Sequence, residues 1–125
     1  MIIDSIDHIV LGVHDVQKTI RFYTDVLGMK AREEQPSKWS LHFGASKISL
    51  QHAESMPEIA KGTVPGSGNF CLLTETPINQ VAATLKQHQV NILDGPIEKT
   101  GATGPIISIY FFDPDRNLVE ISNKI

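Results

Sequence analysis

The chain has 125 residues, of which 41% are hydrophobic, and its net charge is −3 at pH 7. This composition is typical of a globular protein and predicts one domain with its own hydrophobic core. Acidic and basic residues are interspersed, so no basic stripe indicates a nucleic-acid partner. The longest apolar stretches have the length of a strand, which is too short to cross a bilayer.

The N-terminus and the cysteine content predict a cytoplasmic protein. Residues Met1–Ser5 lack the basic segment and the longer apolar run of a signal peptide. The single cysteine, Cys71, cannot form an internal disulfide. Because it lies within an apolar run, we expect it to be a small buried residue.

The first half of the chain predicts a strand, a helix and three further strands. Ile6–Val13 alternates as a strand does, and Asp15 is a suitable N-cap for a helix that ends at Gly28. The three strands that follow are predicted near Met29–Glu34, Trp39–Phe43 and Lys47–His52. Residues 53–68 are rich in glycine and proline and predict a linker.

The second half repeats this order. We expect Thr76 to cap a second helix, with Pro77 at its first position, where the missing N–H costs nothing. The predicted strands are Asn69–Thr74, one beginning at Val90–Leu93, Ile106–Phe112 and Asn117–Ser122. A loop is predicted from Asp94 to Pro105.

These elements predict an α+β fold made of two βαβββ modules with mixed sheets and a cleft between them. The modules span about residues 4–53 and 69–125 of a single domain, with a linker at about 54–68. Superposing the first strands of the two modules places His8 against Phe70. Superposing their last hairpins places Gln51 against Glu120.

Strand alternation predicts a polar site on the faces that the helices leave uncovered. If the helices cover the more apolar face of each sheet, then His8, Gln51 and Glu120 point to the opposite, concave face. Nitrogen and oxygen donors without a thiolate suit one divalent ion, of Mn, Fe, Co, Ni or Zn. The alternative is a structural histidine and a surface carboxylate, with no metal at all.

Three blocks of the sequence resemble the vicinal oxygen chelate superfamily, which includes glyoxalase I, dioxygenases, fosfomycin-resistance enzymes and bleomycin-resistance proteins. The blocks are Asp7–Leu11, Phe22–Met29 and Asp113–Glu120. Val64–Ser67 and Gly101–Phe111 are similar to the glyoxalase-domain-containing protein 5 subgroup. In the family's Asp-Pro-Asp-Gly turn this chain has Arg116 in place of glycine, which predicts that Asn117 takes the left-handed conformation.

The resemblance implies a metal at the base of the cleft, with ligand positions that fall on His8, Gln51, Phe70 and Glu120. Phenylalanine cannot bind a metal, so the four-ligand set of glyoxalase I is incomplete, which argues against that activity. His52 is an alternative to Gln51 if a bulge shifts the strand. Glu120 is also the predicted catalytic base.

Two functions therefore remain open. The first is a metal-dependent lyase, isomerase or transferase that acts on a small oxygenated substrate, which Phe70, Ser108 and Tyr110 help to bind. The second is a metal-free protein of the bleomycin-resistance type that sequesters a small molecule by aromatic stacking. The residues proposed for that stacking are Phe70, Trp39, Tyr110 and Phe112. The resemblance also implies a homodimer.

Overall fold

Two units of the chain repeat one order of elements: a strand, a helix and three strands. A computed structural model describes residues 1–55 and 60–125. The units are Met1–Ser67, called the N-terminal unit, and Gly68–Ile125, called the C-terminal unit. The prediction of an α+β fold with two βαβββ modules is confirmed.

The N-terminal unit is a four-stranded mixed sheet with one helix. Its elements are β1 (His8–Val13), α1 (Val16–Asp25), β2 (Lys30–Gln35), β3 (Lys38–Phe43) and β4 (Ser46–His52), followed by a 3-10 turn at Ala53–Ser55. The strand order is β1-β4-β3-β2, and β1 is parallel to β4 while the other pairs are antiparallel.

The C-terminal unit has the same topology. Its elements are β5 (Asn69–Leu73), α2 (Ile78–Gln87), β6 (Ile92–Gly101), β7 (Gly104–Phe112) and β8 (Leu118–Lys124). The strand order is β5-β8-β7-β6, with β5 parallel to β8. No helix of the described residues has the length and apolar character that crossing a membrane requires.

Each sheet has one apolar face, against which the helix of its unit packs. In the N-terminal unit, Leu41 and Ile48 are fully buried on this face, and helix α1 packs on β2, β3 and β4. In the C-terminal unit, Ile109 and Val119 are fully buried, and helix α2 packs on β6, β7 and β8. We call the opposite face of each sheet its open face.

The predicted start and end of helix α1 are confirmed. Asp15 is the N-cap, and its carboxylate accepts a hydrogen bond of 3.0 Å from the backbone N–H of Lys18. Gly28, with φ of 71°, adopts the left-handed conformation that follows a helix. In helix α2 the N-cap is Pro77, without a side-chain cap, so the assignment of Thr76 as N-cap is wrong by one residue.

The loop predicted from Asp94 to Pro105 is wrong. Most of it belongs to β6, which pairs with β7 and connects to it through a turn at 102–103. The pairing register shifts on both sides of Asp94. β6 is the edge strand, and Pro96 has no pairing partner on β7, so its missing N–H removes no hydrogen bond from the sheet interior. The Gly and Pro content therefore did not prevent strand formation.

The turn before β8 also differs from the prediction. Arg116 itself has a positive φ, of 65°, and Asn117 does not take the left-handed conformation. The Asp113 carboxylate accepts hydrogen bonds of 2.9 Å from the backbone N–H groups of Asp115 and Asn117. These bonds fix the turn, and the Arg116 guanidinium lies 4.5 Å from the centroid of the Phe112 ring.

Candidate functional site

The strand pairing of the two sheets defines which positions of the two units correspond. The matching rows of residues on the apolar faces are Ile9, Ile48 and Leu41 in one unit and Phe70, Val119 and Phe111 in the other. The next row in each sheet lies on the open face. It consists of Val10, Ser49 and Ser40 in the N-terminal unit and of Cys71, Glu120 and Tyr110 in the C-terminal unit.

This register differs from the one predicted from the sequence. Asn69, and not Phe70, corresponds to His8, because β1 and β5 both begin at these residues. Ser49, and not Gln51, corresponds to Glu120. Phe70 therefore lies in register with Val119 on the apolar face of its sheet, on the side opposite to Glu120.

His8 is the first residue of β1, and one of its ring nitrogens is hydrogen-bonded to a neighbouring side chain. Its Nδ1 lies 2.8 Å from Oδ2 of Asp7, and the side chain of His8 is 44% exposed. An ionised carboxylate only accepts hydrogen bonds, so Nδ1 carries the proton and donates it. In the neutral tautomer with its proton on Nδ1, the lone pair of Nε2 is available, which is the arrangement that commonly orients a histidine toward a metal.

Gln51 lies at the other end of the parallel pair. The register places His8 beside Lys47 and Gln51 beside Gly12, which separates His8 and Gln51 by four positions, or about 13 Å along the strands. The Gln51 amide donates a hydrogen bond of 3.1 Å to the carbonyl of Ser55. His8 and Gln51 therefore cannot share one ion while β1 and β4 keep this pairing.

Glu120 is the carboxylate of a hydrogen-bonded cluster on the open face of the C-terminal unit. The Ser122 hydroxyl donates to Oε1 of Glu120 over 3.3 Å, and Tyr110 lies beside Glu120 on the neighbouring strand. Burial, together with the interaction with the neighbouring Glu120 carboxylate, raises the pKa of Tyr110 to about 12. Tyr110 thus stays protonated at neutral pH and remains a donor.

Two further side chains complete this cluster. Ser108, which is fully buried, pairs with Ser122 on the neighbouring strand and lies with its hydroxyl 2.7 Å from that of Ser122, so it helps to hold the Ser122 side chain. Cys71, on β5, places its thiol 3.2 Å from the same hydroxyl. Cys71 is exposed, so the expectation of a buried cysteine is wrong: alternation along β5 puts it beside Glu120 on the open face.

A second cluster lies on the open face of the N-terminal unit, and its central carboxylate, Glu34, was missed by sequence reasoning. Glu34 accepts hydrogen bonds from Lys47 Nζ, at 3.0 Å to Oε1 and 2.9 Å to Oε2, and one of 2.8 Å from Ser40 Oγ. His42 Nε2 lies 3.2 Å from Oε1. Lys47, then Ser40, hold the pKa of Glu34 at about 2, below its usual 4.5.

This shifted pKa predicts an acid-dependent loss of stability. Because the folded pKa of Glu34 is lowered, its contribution is complete above about pH 4.5 and is lost as the pH falls toward about 2. We expect the free energies of unfolding of wild type and Glu34→Gln, measured in urea, to differ at pH 6. The two values are expected to converge as the pH approaches about 2. Glu33→Gln, which removes an exposed charge from the same strand, is the control; equal pH profiles for both variants would contradict the prediction.

The described residues provide some, but not all, of the ligands that a metal-binding site requires. Among residues 1–55 and 60–125 there is no group of three or more His, Cys, Asp and Glu side chains arranged to hold an ion. The oriented imidazole of His8 and the carboxylate of Glu120 are each suitable nitrogen and oxygen donors. Gln51 does not fit the same ion as His8.

The aromatic residues proposed for metal-free stacking are divided between the two faces of their sheets. Trp39, like Leu41, lies on the apolar face of its sheet, and Phe70 lies on the apolar face of the other. Tyr110 and Phe112 lie on the open face of the C-terminal unit. The Tyr110 ring also contacts Lys99, whose Nζ is 5.8 Å from the ring centroid.

Paired βαβββ units of this topology place the chain in one family of proteins. Residues 5–121 match the Glyoxalase/Bleomycin resistance protein/Dioxygenase superfamily, and the chain belongs to this family. The nearer resemblance to the glyoxalase-domain-containing protein 5 subgroup stays a prediction.

Several relatives are similar over nearly the whole chain. Virulence protein STM3117 of Salmonella typhimurium is 50% identical over 127 residues, covering 100% of this chain and 88% of the relative. Its crystal structure superposes with a TM-score of 0.96 at 48% identity and full coverage of both chains. Glyoxalase domain-containing protein RDO1 of Mycosarcoma maydis is 40% identical, covering 95% of this chain and 68% of that protein. Metallothiol transferase FosB of Staphylococcus saprophyticus is 29% identical, covering 95% and 76%.

Proposed function

We propose that this protein is a metal-dependent enzyme that acts as a lyase, isomerase or transferase on a small oxygenated substrate, with His8 and Glu120 as metal ligands. The observation that carries the proposal is the hydrogen bond of 2.8 Å between His8 Nδ1 and Asp7, which leaves Nε2 free to bind. The similarity to FosB, whose name describes a metallothiol transferase, supports the same class of chemistry.

The side chains around Glu120 have separable tasks in this proposal. The Ser122 hydroxyl donates to the Glu120 carboxylate and holds its orientation, and the Tyr110 phenol lies beside Glu120 on the neighbouring strand. Glu120 can also take a proton from a substrate carbon next to a carbonyl group, as a general base does. Because the pKa of Tyr110 is about 12, its phenol retains its proton and does not compete for this role.

A divalent ion bound by His8 and Glu120 would polarise a substrate oxygen and stabilise the negative charge that develops on it. The donor types, one imidazole and one carboxylate, suit Zn, Ni, Mn, Fe or Co. We also propose that the protein is a cytoplasmic homodimer, as the resemblance implies. The free Cys71 thiol is compatible with a reducing compartment.

Metal uptake by ligand variants tests this proposal. After reconstitution with each metal and removal of excess, wild-type protein is expected to retain about one ion per chain, measured by elemental analysis. His8→Ala and Glu120→Gln are expected to retain none, since each loses a ligand. Gln51→Ala is expected to retain the ion, because the pairing of β1 and β4 places Gln51 too far from His8.

The control for surface histidines is His88→Ala, which removes an exposed imidazole at the end of helix α2. A wild-type protein that retains no ion of any of the five metals would contradict the proposal and favour the metal-free binding protein. Loss of the ion in Gln51→Ala would instead show that the register changes when the metal binds.

A further inference from the structure

One row of the N-terminal sheet carries a lysine or a histidine on every strand. Lys30 of β2 pairs with His42 of β3, His42 with Lys47 of β4, and Lys47 with His8 of β1. Residues paired in register point to the same face of a sheet. The neighbouring residues Leu41 and Ile48 are fully buried on the apolar face, so this row lies on the open face.

The open face of this sheet is positively charged although the protein as a whole is acidic. Over the four described strands it carries one acidic residue, Glu34, and four basic residues: Lys30, Arg32, Lys38 and Lys47. The entire chain has a net charge of −3. A local excess of one sign on a protein surface raises the local concentration of the opposite ion and guides its approach.

Glu34 indicates which chemical group this surface accepts. Its carboxylate receives donors from two neighbouring strands: Ser40 Oγ at 2.8 Å, and Lys47 Nζ at 2.9 and 3.0 Å. His42 Nε2, at 3.2 Å, is within reach of the same oxygen. The side chains of Lys47 and His42 are 25% and 26% exposed, so both are partly withdrawn from solvent yet accessible.

We propose that this surface binds a carboxylate or phosphate group of the substrate, with Lys47 and His42 as its donors and Glu34 as the internal carboxylate that the ligand replaces. The inference rests on the proposed function in one respect: Lys47 lies beside His8 in the strand pairing, so an anion bound there belongs to a molecule that reaches the proposed metal ligand. The substrate is accordingly an oxygenated acid or a phosphorylated compound.

The test uses inorganic phosphate and acetate as probes of the full-length, metal-free protein. Either probe is titrated into isotope-labelled protein at constant ionic strength, with chloride as the balancing anion, while amide and imidazole resonances are followed. We expect saturable shifts at His42 and along β3 and β4. Lys47→Met is expected to weaken binding about tenfold or more, the loss of one charge-assisted hydrogen bond.

Three further variants make the test specific. Glu34→Gln is expected to strengthen phosphate binding, because the competing carboxylate is gone and the donors remain. Lys47→Arg is expected to retain binding, which separates the loss of charge from damage to the fold. Lys86→Met, on helix α2 of the other unit, removes an exposed charge of the same kind and is expected to change nothing.

The proposal is overturned if neither anion produces saturable shifts, or if Lys47→Met binds both anions as wild type does. It is also overturned if Glu34→Gln binds phosphate more weakly than wild type, since Glu34 would then support the site. Because the protein is metal-free in this experiment, the result is independent of metal uptake. Anion binding without metal retention would contradict only the proposed metal site. Metal retention without anion binding would contradict only the proposed anion site.

Discussion

Gly95→Ala is expected to destabilise the protein by about 3 kcal/mol or more, because the backbone of β7 occupies the space that a methyl group would need. A Cβ at Gly95 would overlap the carbonyl oxygen of Ser108 and come within 3.1 Å of Cα of Ile109. Both neighbours are backbone atoms of a central strand and cannot rotate away. Gly95 also has φ of 98°, a conformation that alanine rarely adopts.

Gly44→Ala separates the steric overlap from the backbone conformation. Gly44 also has a positive φ, of 52°, but apart from its chain neighbours no atom of the described residues lies within 4 Å of the position that a methyl group would take. We expect this control to cost about 1 kcal/mol, the penalty of the left-handed conformation alone. Urea unfolding of the two variants measures the difference. Equal losses of stability would mean that β6 moves away from β7 without cost, contrary to this prediction.

Asn117→Ala is expected to cost about 2–4 kcal/mol of the free energy of unfolding. Asn117 is 1% exposed and uses both ends of its amide. Its Oδ1 accepts a hydrogen bond of 2.7 Å from the backbone N–H of Gly68, and its Nδ2 donates one of 2.9 Å to Oδ2 of Asp113. The substitution removes both bonds inside the protein, where water cannot freely replace them.

Asn79→Ala is the matched control for this second prediction. Asn79 is exposed in the first turn of helix α2, and its side chain bonds only locally, to the backbone N–H of Gln80 at 3.0 Å. We expect its replacement to change stability by no more than about 0.5 kcal/mol. If thermal and urea unfolding gave Asn117→Ala the same small effect, the turn before β8 would not depend on the Asn117 amide.

The order of elements could be predicted because its signals are local. Asp15 caps its helix with an oxygen that reaches only three residues ahead, and alternation in Lys47–His52 needs no knowledge of the neighbouring strands. The assignment of Gln51 and Glu120 to the faces that the helices leave uncovered followed from the same alternation. Composition misled at β6, where the edge position tolerates Pro96 within a strand.

Register was decided by the tertiary structure. A strand that slips by one residue exchanges its two faces. The sequence therefore made Phe70 the equivalent of His8 in the second unit, whereas the pairing of β5 with β8 makes Asn69 the equivalent residue. A slip of two residues preserves the face and is still harder to detect. A slip of this kind made the sequence match Gln51, instead of Ser49, with Glu120. For the same reason the sequence did not reveal that His8 and Gln51 lie far apart.

The clusters around the two carboxylates likewise come from pairing between distant segments. Glu34 meets Lys47 only because β3 and β4 fold back beside β2, and Cys71 meets Ser122 only because β5 joins β8. By itself the sequence determined the family, the two βαβββ units and the residue types available for chemistry. The pairing of strands decided which of those residues share a site, because hydrogen-bond register between strands is a long-range property that no local pattern fixes.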